Sequence, residues 1–301
     1  MLNWPDEITG QPDKTSNWSH PGSNYCLDFH GNPATAQLTV LSDGNHHMAL
    51  HESLKRFKEF TPNLTSVFYA TTPPGPLLEL LKKRRLRIKN LEISVTPDVF
   101  ICPPDILQQL VKEHVLSTNE PFMQNRGSVL LVKKGNPKNI LGVRDLTRDD
   151  VTLFLSNPVN EKVSCRTYKS TIKGLGGEQG IAPQSLLRPP NIFYGERIHH
   201  REAPQCIADE KADVALLFYH LALRYVRIFP NKFELIPLGG TAENPEPTCA
   251  NIIGQTHYGL TTKASKWGAQ FTEFLKSDTV TRIYEFHGLQ RSKNVLEIKE
   301  I

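Results

Sequence analysis

Five histidines of this sequence fall where a strand is predicted to end or a helix to begin. They are His46, His47, His199, His200 and His220. Neutral imidazole is a common metal ligand, and protonated imidazole can hold an anion. Three interpretations stay open: metal ligands supported by Asp43, structural histidines, or histidines that help to hold an anion. No two of these five have the i, i+4 spacing of a helical metal site, so metal binding is the alternative hypothesis.

Predicted helix starts and strand ends form a second set of candidates. The turn Ser42-Asp43-Gly44-Asn45 leads from an apolar strand into a helix and is expected to expose backbone N–H groups, which hold anions well. Comparable positions carry polar or charged side chains, and these are Thr71, Thr72, Ser164, Cys165, Arg166, Arg201 and Tyr219. Together they predict a site for a small anion. Arg166 and Arg201 are either charged clamps or surface arginines, and Asn45 is either a ligand contact or a helix N-cap.

No group of residues has the spacing of a known catalytic site. The sequence lacks a Gly-x-Ser-x-Gly motif, and its best nucleophile candidate is Cys165, because a helix start activates a thiol. The five cysteines are odd in number and include no Cys-x-x-Cys pair, which argues against a disulfide framework and a thiolate zinc site. We expect a binding protein without a cofactor, and an enzyme that uses Cys165 is the least favoured hypothesis.

Alternating strand and helix patterns must position these residues. Apolar runs of strand length alternate with stretches of helical periodicity, which predicts an α/β fold with mostly parallel or mixed sheets flanked by helices. Ligands of such sheets bind beyond the carboxyl ends of the strands, where the candidates fall. The expected organisation is an N-terminal arm (1–36), a first lobe (37–126 and 259–301) and a second lobe (127–258), with a ligand cleft between the lobes.

Two stretches of unusual composition receive structural interpretations. Lys82–Lys89 is the strongest run of positive charge, and we expect a helix to end there, since cations stabilise a helix C-terminus. Gly174–Gly180 is rich in glycine but lacks the Gly-Lys-Ser/Thr of a phosphate-binding loop. It is therefore predicted to be a flexible loop.

Length and composition limit the class of protein. The chain has 301 residues, enough for two domains, and its 39% hydrophobic and 22% charged residues are typical of a globular protein. A net charge of +4 mildly favours anionic ligands and gives no indication of nucleic-acid binding. No apolar run is long enough for a membrane span. The N-terminus lacks the features of a secretory leader, so we expect a cytoplasmic protein, or a periplasmic one whose leader has been removed.

The order of the segments resembles the periplasmic molybdate-binding protein family, the type II substrate-binding proteins of ABC transporters. The family's strand, Ala-Ser-Leu turn and helix are similar to Leu38–Phe57, and its Ala-Asp-x-Phe-Ile-Ser motif is similar to Pro97-Asp98-Val99-Phe100-Ile101-Cys102. Its Asp-Pro…Val-Pro-Ala-Gly-x-Tyr motif is similar to Asn157-Pro158…Val163-Ser164-Cys165-Arg166-Thr167-Tyr168. Its Gly-x-Ala-Asp-x-Gly-x-Val-Tyr motif is similar to Glu210–Tyr219, and the resemblance covers about residues 37–291.

This resemblance implies a two-lobed, non-enzymatic binding protein whose lobes close on molybdate, tungstate or a related oxyanion. Carried over position by position, the family's oxyanion contacts fall on Asn45, Thr71, Thr72, Cys165 through its backbone, the region of Arg201, and Tyr219. The implied partner is an ABC permease. A cytoplasmic sensor or sequestering protein is expected instead if the chain never carried a leader.

Overall fold

The computed structural model describes Leu2 and residues 29–71, 74–88, 91–159, 161–188, 190–196 and 198–292. In its first part, buried apolar strands alternate with amphipathic helices. The elements are β1 (Phe29–His30), β2 (Leu38–Ser42), α1 (His47–Phe60), β3 (Val67–Thr71), α2 (Pro74–Lys83), β4 (Arg85–Ile88), β5 (Leu91–Ser94), β6 (Val99–Cys102), α3 (Pro104–Lys112) and β7 (Glu120–Asn125). A 3-10 turn, Gly44–His46, joins β2 to α1.

The remaining elements follow in the same alternating order. They are β8 (Ser128–Lys133), a 3-10 turn (Val143–Thr147), β9 (Leu153–Leu155), α4 (Lys162–Glu178), α5 (Pro183–Leu186), β10 (Ile192–Tyr194), α6 (His199–Ala208), β11 (Val214–Phe218), α7 (Tyr219–Ile228), β12 (Phe233–Ile236), β13 (Gln255–Leu260), α8 (Lys266–Leu275), α9 (Asp278–Phe286) and β14 (Leu289–Arg291). None of the helices in the described part of the chain is long and apolar enough to cross a membrane.

The described residues divide into two compact units. The first unit contains residues 29–124 and 255–292, and the second unit contains Leu2 and residues 125–254. The sheets flanked by helices confirm the predicted α/β class. The predicted arm and lobe boundaries stay a prediction.

The first unit is built on a seven-stranded sheet in the order β1-β3-β2-β6-β13-β7-β14. Strands β3, β2 and β6 run parallel, and each is almost fully buried because helices cover both faces. Their carboxyl ends, at Ser42, Thr71 and Cys102, therefore lie at the same edge of the sheet. The first candidate site is at this edge.

The second unit is built on a five-stranded sheet in the order β10-β9-β11-β8-β12. Strands β10, β9 and β11 run parallel, and β8 and β12 are antiparallel to their neighbours. The parallel strands end at Tyr194, Leu155 and Phe218, so the starts of helices α4, α6 and α7 follow from one edge of this sheet. The second candidate site is at that edge.

The positively charged run continues beyond the end of a helix, which the sequence interpretation missed. Helix α2 ends at Lys83, and Arg84 has a φ of 57°, a left-handed conformation that stops the helix. Residues Arg85–Ile88 then form β4, which pairs antiparallel with β5. The end of a helix was predicted correctly, and the strand that follows was not predicted.

The glycine-rich stretch is helical, so the prediction of a flexible loop is wrong. Helix α4 runs to Glu178 through Gly174, Gly176 and Gly177. A Cβ on Gly176 would lie only 2.1 Å from Leu186 Cδ1, and one on Gly174 would lie 3.0 Å from Ala250 Cβ. Glycine at these two positions lets neighbouring segments approach the helix closely.

Candidate functional site

In the first unit, the turn after β2 carries its own buried anion. Asp43 is 6% exposed, and its Oδ1 accepts a hydrogen bond from the Asn45 backbone N–H at 3.1 Å. Carboxylates are favoured at helix starts because they satisfy free N–H groups and offset the helix dipole. The Asn45 N–H, which the sequence analysis expected to be exposed, is thus used by Asp43.

His46 lies beside this carboxylate. Its Nε2 is 3.2 Å from Asp43 Oδ1 and 3.3 Å from Thr256 Oγ1, and the residue is only 4% exposed. Its other ring nitrogen, Nδ1, has no hydrogen-bond partner among the described residues. A catalytic Thr-His-Asp relay needs the acid and the hydroxyl on different ring nitrogens, whereas here both are on Nε2. The arrangement is therefore not that of a catalytic triad.

Two other predicted residues of the first unit lie at the same edge. Thr71 ends β3 in register with Ser42 and is buried. The Asn45 side chain is half-buried and makes no hydrogen bond with the described part of the chain, so its amide is available to a ligand. His47 is buried, with Nδ1 at 3.3 Å from the Gly44 carbonyl oxygen. Thr72 lies outside the described residues.

In the second unit, helix α4 begins at Lys162, close to Ser164. The Cys165 N–H donates to the Glu161 carbonyl at 2.9 Å. The Cys165 N–H, which was predicted to contact the oxyanion, is thus used in a hydrogen bond at the start of the helix. This corrects its predicted role. The Cys165 side chain is 4% exposed, a poor position for a nucleophile. Ser164 is half-buried and Arg166 is exposed at the same helix start.

Glu161, which the sequence analysis missed, connects the starts of α4 and α6. Its Oε2 accepts the backbone N–H of His199, the first residue of α6, at 3.0 Å. The pKa of the Glu161 carboxyl is raised to about 7, chiefly by burial and also by the nearby Glu202 carboxylate, although hydrogen bonds from the backbone of His199 and Asn157 oppose the change. A carboxyl that changes charge near neutral pH thus lies beside the predicted ligand-binding helices.

A second carboxylate completes the start of α6. Glu202 accepts the Ile198 N–H on Oε1 at 3.1 Å and the Glu196 N–H on Oε2 at 2.7 Å. This is the reach of a side chain in the first helical turn back to the residues before it. The backbone N–H groups of Glu196 and Ile198 therefore already have an acceptor within the protein. Arg201 lies half-buried on the same turn.

His199 is a neutral buried histidine. Its ring stacks on Phe154 at 5.1 Å, Nε2 lies 3.3 Å from the Phe154 carbonyl oxygen, and the residue is 1% exposed. Burial lowers its pKa to about 4. The enclosed, neutral ring favours the structural interpretation of His199 among the three that the sequence left open.

Tyr219 begins helix α7 instead of ending β11. Its hydroxyl donates to the Glu243 carbonyl oxygen at 3.3 Å, and the Arg126 guanidinium lies 5.7 Å from its ring centre. His220 is buried with its ring stacked on Phe218. One turn further, burial lowers the pKa of Arg224, a half-buried cation that the sequence analysis also missed. No sequence motif marks Arg224, since it lies within an ordinary amphipathic helix.

The five histidines are not assembled into a metal site within either unit. His46 and His47 belong to the first unit, while His199, His200 and His220 belong to the second. Within the described ranges, no three His, Cys, Asp or Glu side chains are placed to share a metal ion. The metal hypothesis therefore gains no support from the geometry.

Comparison with known proteins supplies a family. A model described as "Bacterial extracellular solute-binding protein" matches residues 38–290, most of the chain. No curated protein sequence matches this chain. Among similar solved structures, the sulfate-binding protein SubI from Mycobacterium tuberculosis has a TM-score of 0.58 and 15% identity, over 87% of this chain and 88% of that chain. The periplasmic molybdate-binding protein of Azotobacter vinelandii has a TM-score of 0.56 and 13% identity, over 85% of this chain and 100% of that chain. The tungstate ABC transporter from Geobacter sulfurreducens has a TM-score of 0.55 and 12% identity, over 85% of this chain and 100% of that chain. At these identities the structures establish the fold alone.

Proposed function

The chain belongs to the bacterial extracellular solute-binding protein family, and on that premise we propose that it captures a small oxyanion of the molybdate or tungstate type for ABC-type transport or sensing. The proposed role is non-enzymatic: the oxyanion is bound and released unchanged. The proposed partner is an ABC permease that receives the ligand.

One observation carries this proposal: the family match runs from β2 to β14 and so includes the strand ends of both units. Proteins with this fold include ones named for molybdate, tungstate and sulfate binding or transport. These three ligands are tetrahedral dianions, which accept hydrogen bonds from every direction. The shared chemistry favours a site made of hydrogen-bond donors.

The first unit supports the proposal through Asn45. Because Asp43 already uses the Asn45 backbone N–H, the Asn45 side-chain amide is the part of this residue that is available to a ligand. An amide offers two N–H donors, and the Thr71 hydroxyl at the adjacent strand end is a further candidate donor. We therefore propose that the side chain, and not the backbone, of the first turn contacts the oxyanion.

The second unit supports the proposal through hydroxyl and guanidinium groups. Ser164 lies on the first turn of α4 and Arg166 lies just beyond it, and Arg201 lies on the first turn of α6. Positive charge at a binding face raises the local concentration of anions, and guanidinium groups pair well with oxyanions. The proposed contacts of this unit are therefore the side chains of Ser164, Arg166 and Arg201. Tyr219 is proposed to contact the ligand through its hydroxyl.

The test is a binding screen of the full chain prepared with a chelator. Molybdate, tungstate, sulfate, phosphate, small carboxylates and zinc are compared by thermal shift, because a ligand at 100 times its Kd stabilises by about 2.7 kcal/mol. Calorimetry then measures Asn45→Ala, with Asn63→Ala as the matched control in the exposed turn after α1. We expect the loss of a donor to weaken oxyanion binding about tenfold in Asn45→Ala, while the control stays unchanged. Stabilisation by zinc alone would contradict the proposal.

A further inference from the structure

Glu161 lies where the two ligand-binding helix starts proposed for the second unit meet. It directly precedes α4, its carbonyl accepts the Cys165 N–H, and its carboxylate accepts the His199 N–H of α6. It therefore stands between the turn that carries Ser164 and the turn that carries Arg201. The residue is half-buried, so it is not fully enclosed by the protein.

The groups around Glu161 do not neutralise it. On α6 the neighbouring Glu202 is another carboxylate, and the His199 ring is neutral. On α4 the buried Tyr168 has a raised pKa, chiefly because of burial and also because of Glu161. Among the described residues no lysine or arginine forms an ion pair with Glu161. The ionised form of Glu161 is therefore unfavourable in free energy, and the carboxyl gains or loses a proton near pH 7.

Two buried polar atoms of the same region also lack partners. Ser156 Oγ, directly after β9, and His199 Nδ1 make no hydrogen bond with the described part of the chain. An unsatisfied buried polar atom costs about 1–3 kcal/mol, so such atoms commonly mark the place of a bound group or water. Ser156 lies in the segment between β9 and Glu161, and His199 is the residue whose N–H Glu161 accepts, so both support a ligand at this edge of the sheet.

We propose that Glu161 links oxyanion binding to one proton, an inference that rests on the proposed function. The carboxylic acid donates its O–H to an oxyanion that has no proton, such as molybdate. The carboxylate instead accepts a hydrogen bond, which only an oxyanion that keeps a proton, such as hydrogenphosphate, can supply. Each complex thus contains one proton between the two partners: on Glu161 with molybdate, and on the ligand with phosphate.

The two ligands are therefore expected to respond differently to pH. Above neutral pH, molybdate binding must take up a proton from solvent, so its affinity falls about tenfold for each pH unit. Phosphate brings its own proton, and its affinity changes much less. The ratio of phosphate affinity to molybdate affinity is therefore expected to rise as the pH increases above neutral and to fall as the pH decreases.

The experiment is calorimetry of the full chain with molybdate and with inorganic phosphate, between about pH 6 and about pH 8.5, in two buffers of different ionisation enthalpy. The variant is Glu161→Gln, because glutamine keeps an acceptor for the His199 N–H and adds a permanent N–H donor. The matched control is Glu178→Gln, at the other end of α4. We expect wild type and control to take up about one proton per molybdate at the alkaline end, and the variant to take up none.

The outcomes separate this inference from the proposed function. A molybdate affinity that becomes independent of pH in Glu161→Gln supports it. Molybdate binding with the same pH dependence in wild type and Glu161→Gln overturns it and leaves the oxyanion function standing. Absence of binding for both anions at every pH overturns the proposed function, and this inference with it.

Discussion

Buried His199 is expected to make the second unit less stable in mild acid. The ring is enclosed between Phe154 and Tyr168, and its pKa falls from 6.5 to about 4 because burial disfavours the charged form. In the unfolded chain the same ring takes up a proton below its ordinary pKa of about 6.5. Between these two values the unfolded state binds more protons than the folded state.

The sign and size of the effect follow from this difference. A lowered pKa in the folded state gives stability that is complete above about pH 6.5 and is lost as the pH falls toward about 4. One pH unit corresponds to about 1.4 kcal/mol, so lowering the pH from about 7.5 to about 5 costs about 2 kcal/mol through His199. His51 of the first unit, whose pKa is also lowered to about 4, acts in the same direction. Glu161 acts in the opposite direction, because its raised pKa costs stability as the pH rises from about 4.5 to about 7.

The contribution of His199 is isolated by comparing wild type with His199→Gln. Urea unfolding followed by far-UV circular dichroism gives the free energy of unfolding of both proteins at each pH. Lost ring packing gives a difference that does not depend on pH, whereas lost titration makes the difference shrink by about 2 kcal/mol from about pH 7.5 to about pH 5. The same change at His200, the next residue of α6, keeps the buried ring and should keep the wild-type pH dependence. A difference between wild type and His199→Gln that is constant over this range would refute the reasoning.

Three further predictions concern packing and binding. In α4, Gly176→Ala should destabilise by about 1–3 kcal/mol in thermal unfolding, because its Cβ would overlap Leu186, whereas Gly177→Ala, with nothing within 4 Å, should stabilise by up to about 1 kcal/mol. If both variants behave alike, close packing is not the reason for glycine. Asp43→Asn keeps the acceptor of the first turn and removes its charge, so calorimetry should find several-fold tighter molybdate binding; weaker binding would contradict the proposed contact there. Tyr219→Phe should weaken molybdate binding about tenfold if the hydroxyl contacts the ligand, and an unchanged affinity would restrict its role to the loop that it already binds.

The fold was readable from the sequence because its central strands are largely apolar runs. Leu38–Leu41 and Val214–Leu217 are fully buried strands, as expected when helices cover both faces of a sheet. The strand at Arg85–Ile88 was missed because its arginines were interpreted as the charged end of a helix. Its alternation of charged and apolar residues is nevertheless the pattern of a half-exposed strand.

The candidate site was less readable, because its main contacts are distant in the chain. Glu161 binds the start of a helix 38 residues later, and no local spacing indicates such a pairing. Glu202 could have been found, since an acid in the first turn of a helix commonly binds the N–H groups before it. Asp43 could also have been recognised as a cap, which would have shown that the Asn45 N–H is occupied. The sequence therefore located the helix starts, but it did not show which groups already occupy them.

The position of β13 has a consequence for the order in which the chain folds during synthesis. This strand lies between β6 and β7 and pairs with both, although almost all of the second unit separates it from them in the sequence. Residues 125–254 therefore leave the ribosome, and can complete their own sheet, before the sheet of the first unit can close. Until β13 arrives, β6 and β7 have open edges that can pair with other chains. Nascent chains that end before Gln255 are thus expected to aggregate or bind chaperones, and those that extend past Leu260 are expected to be protected.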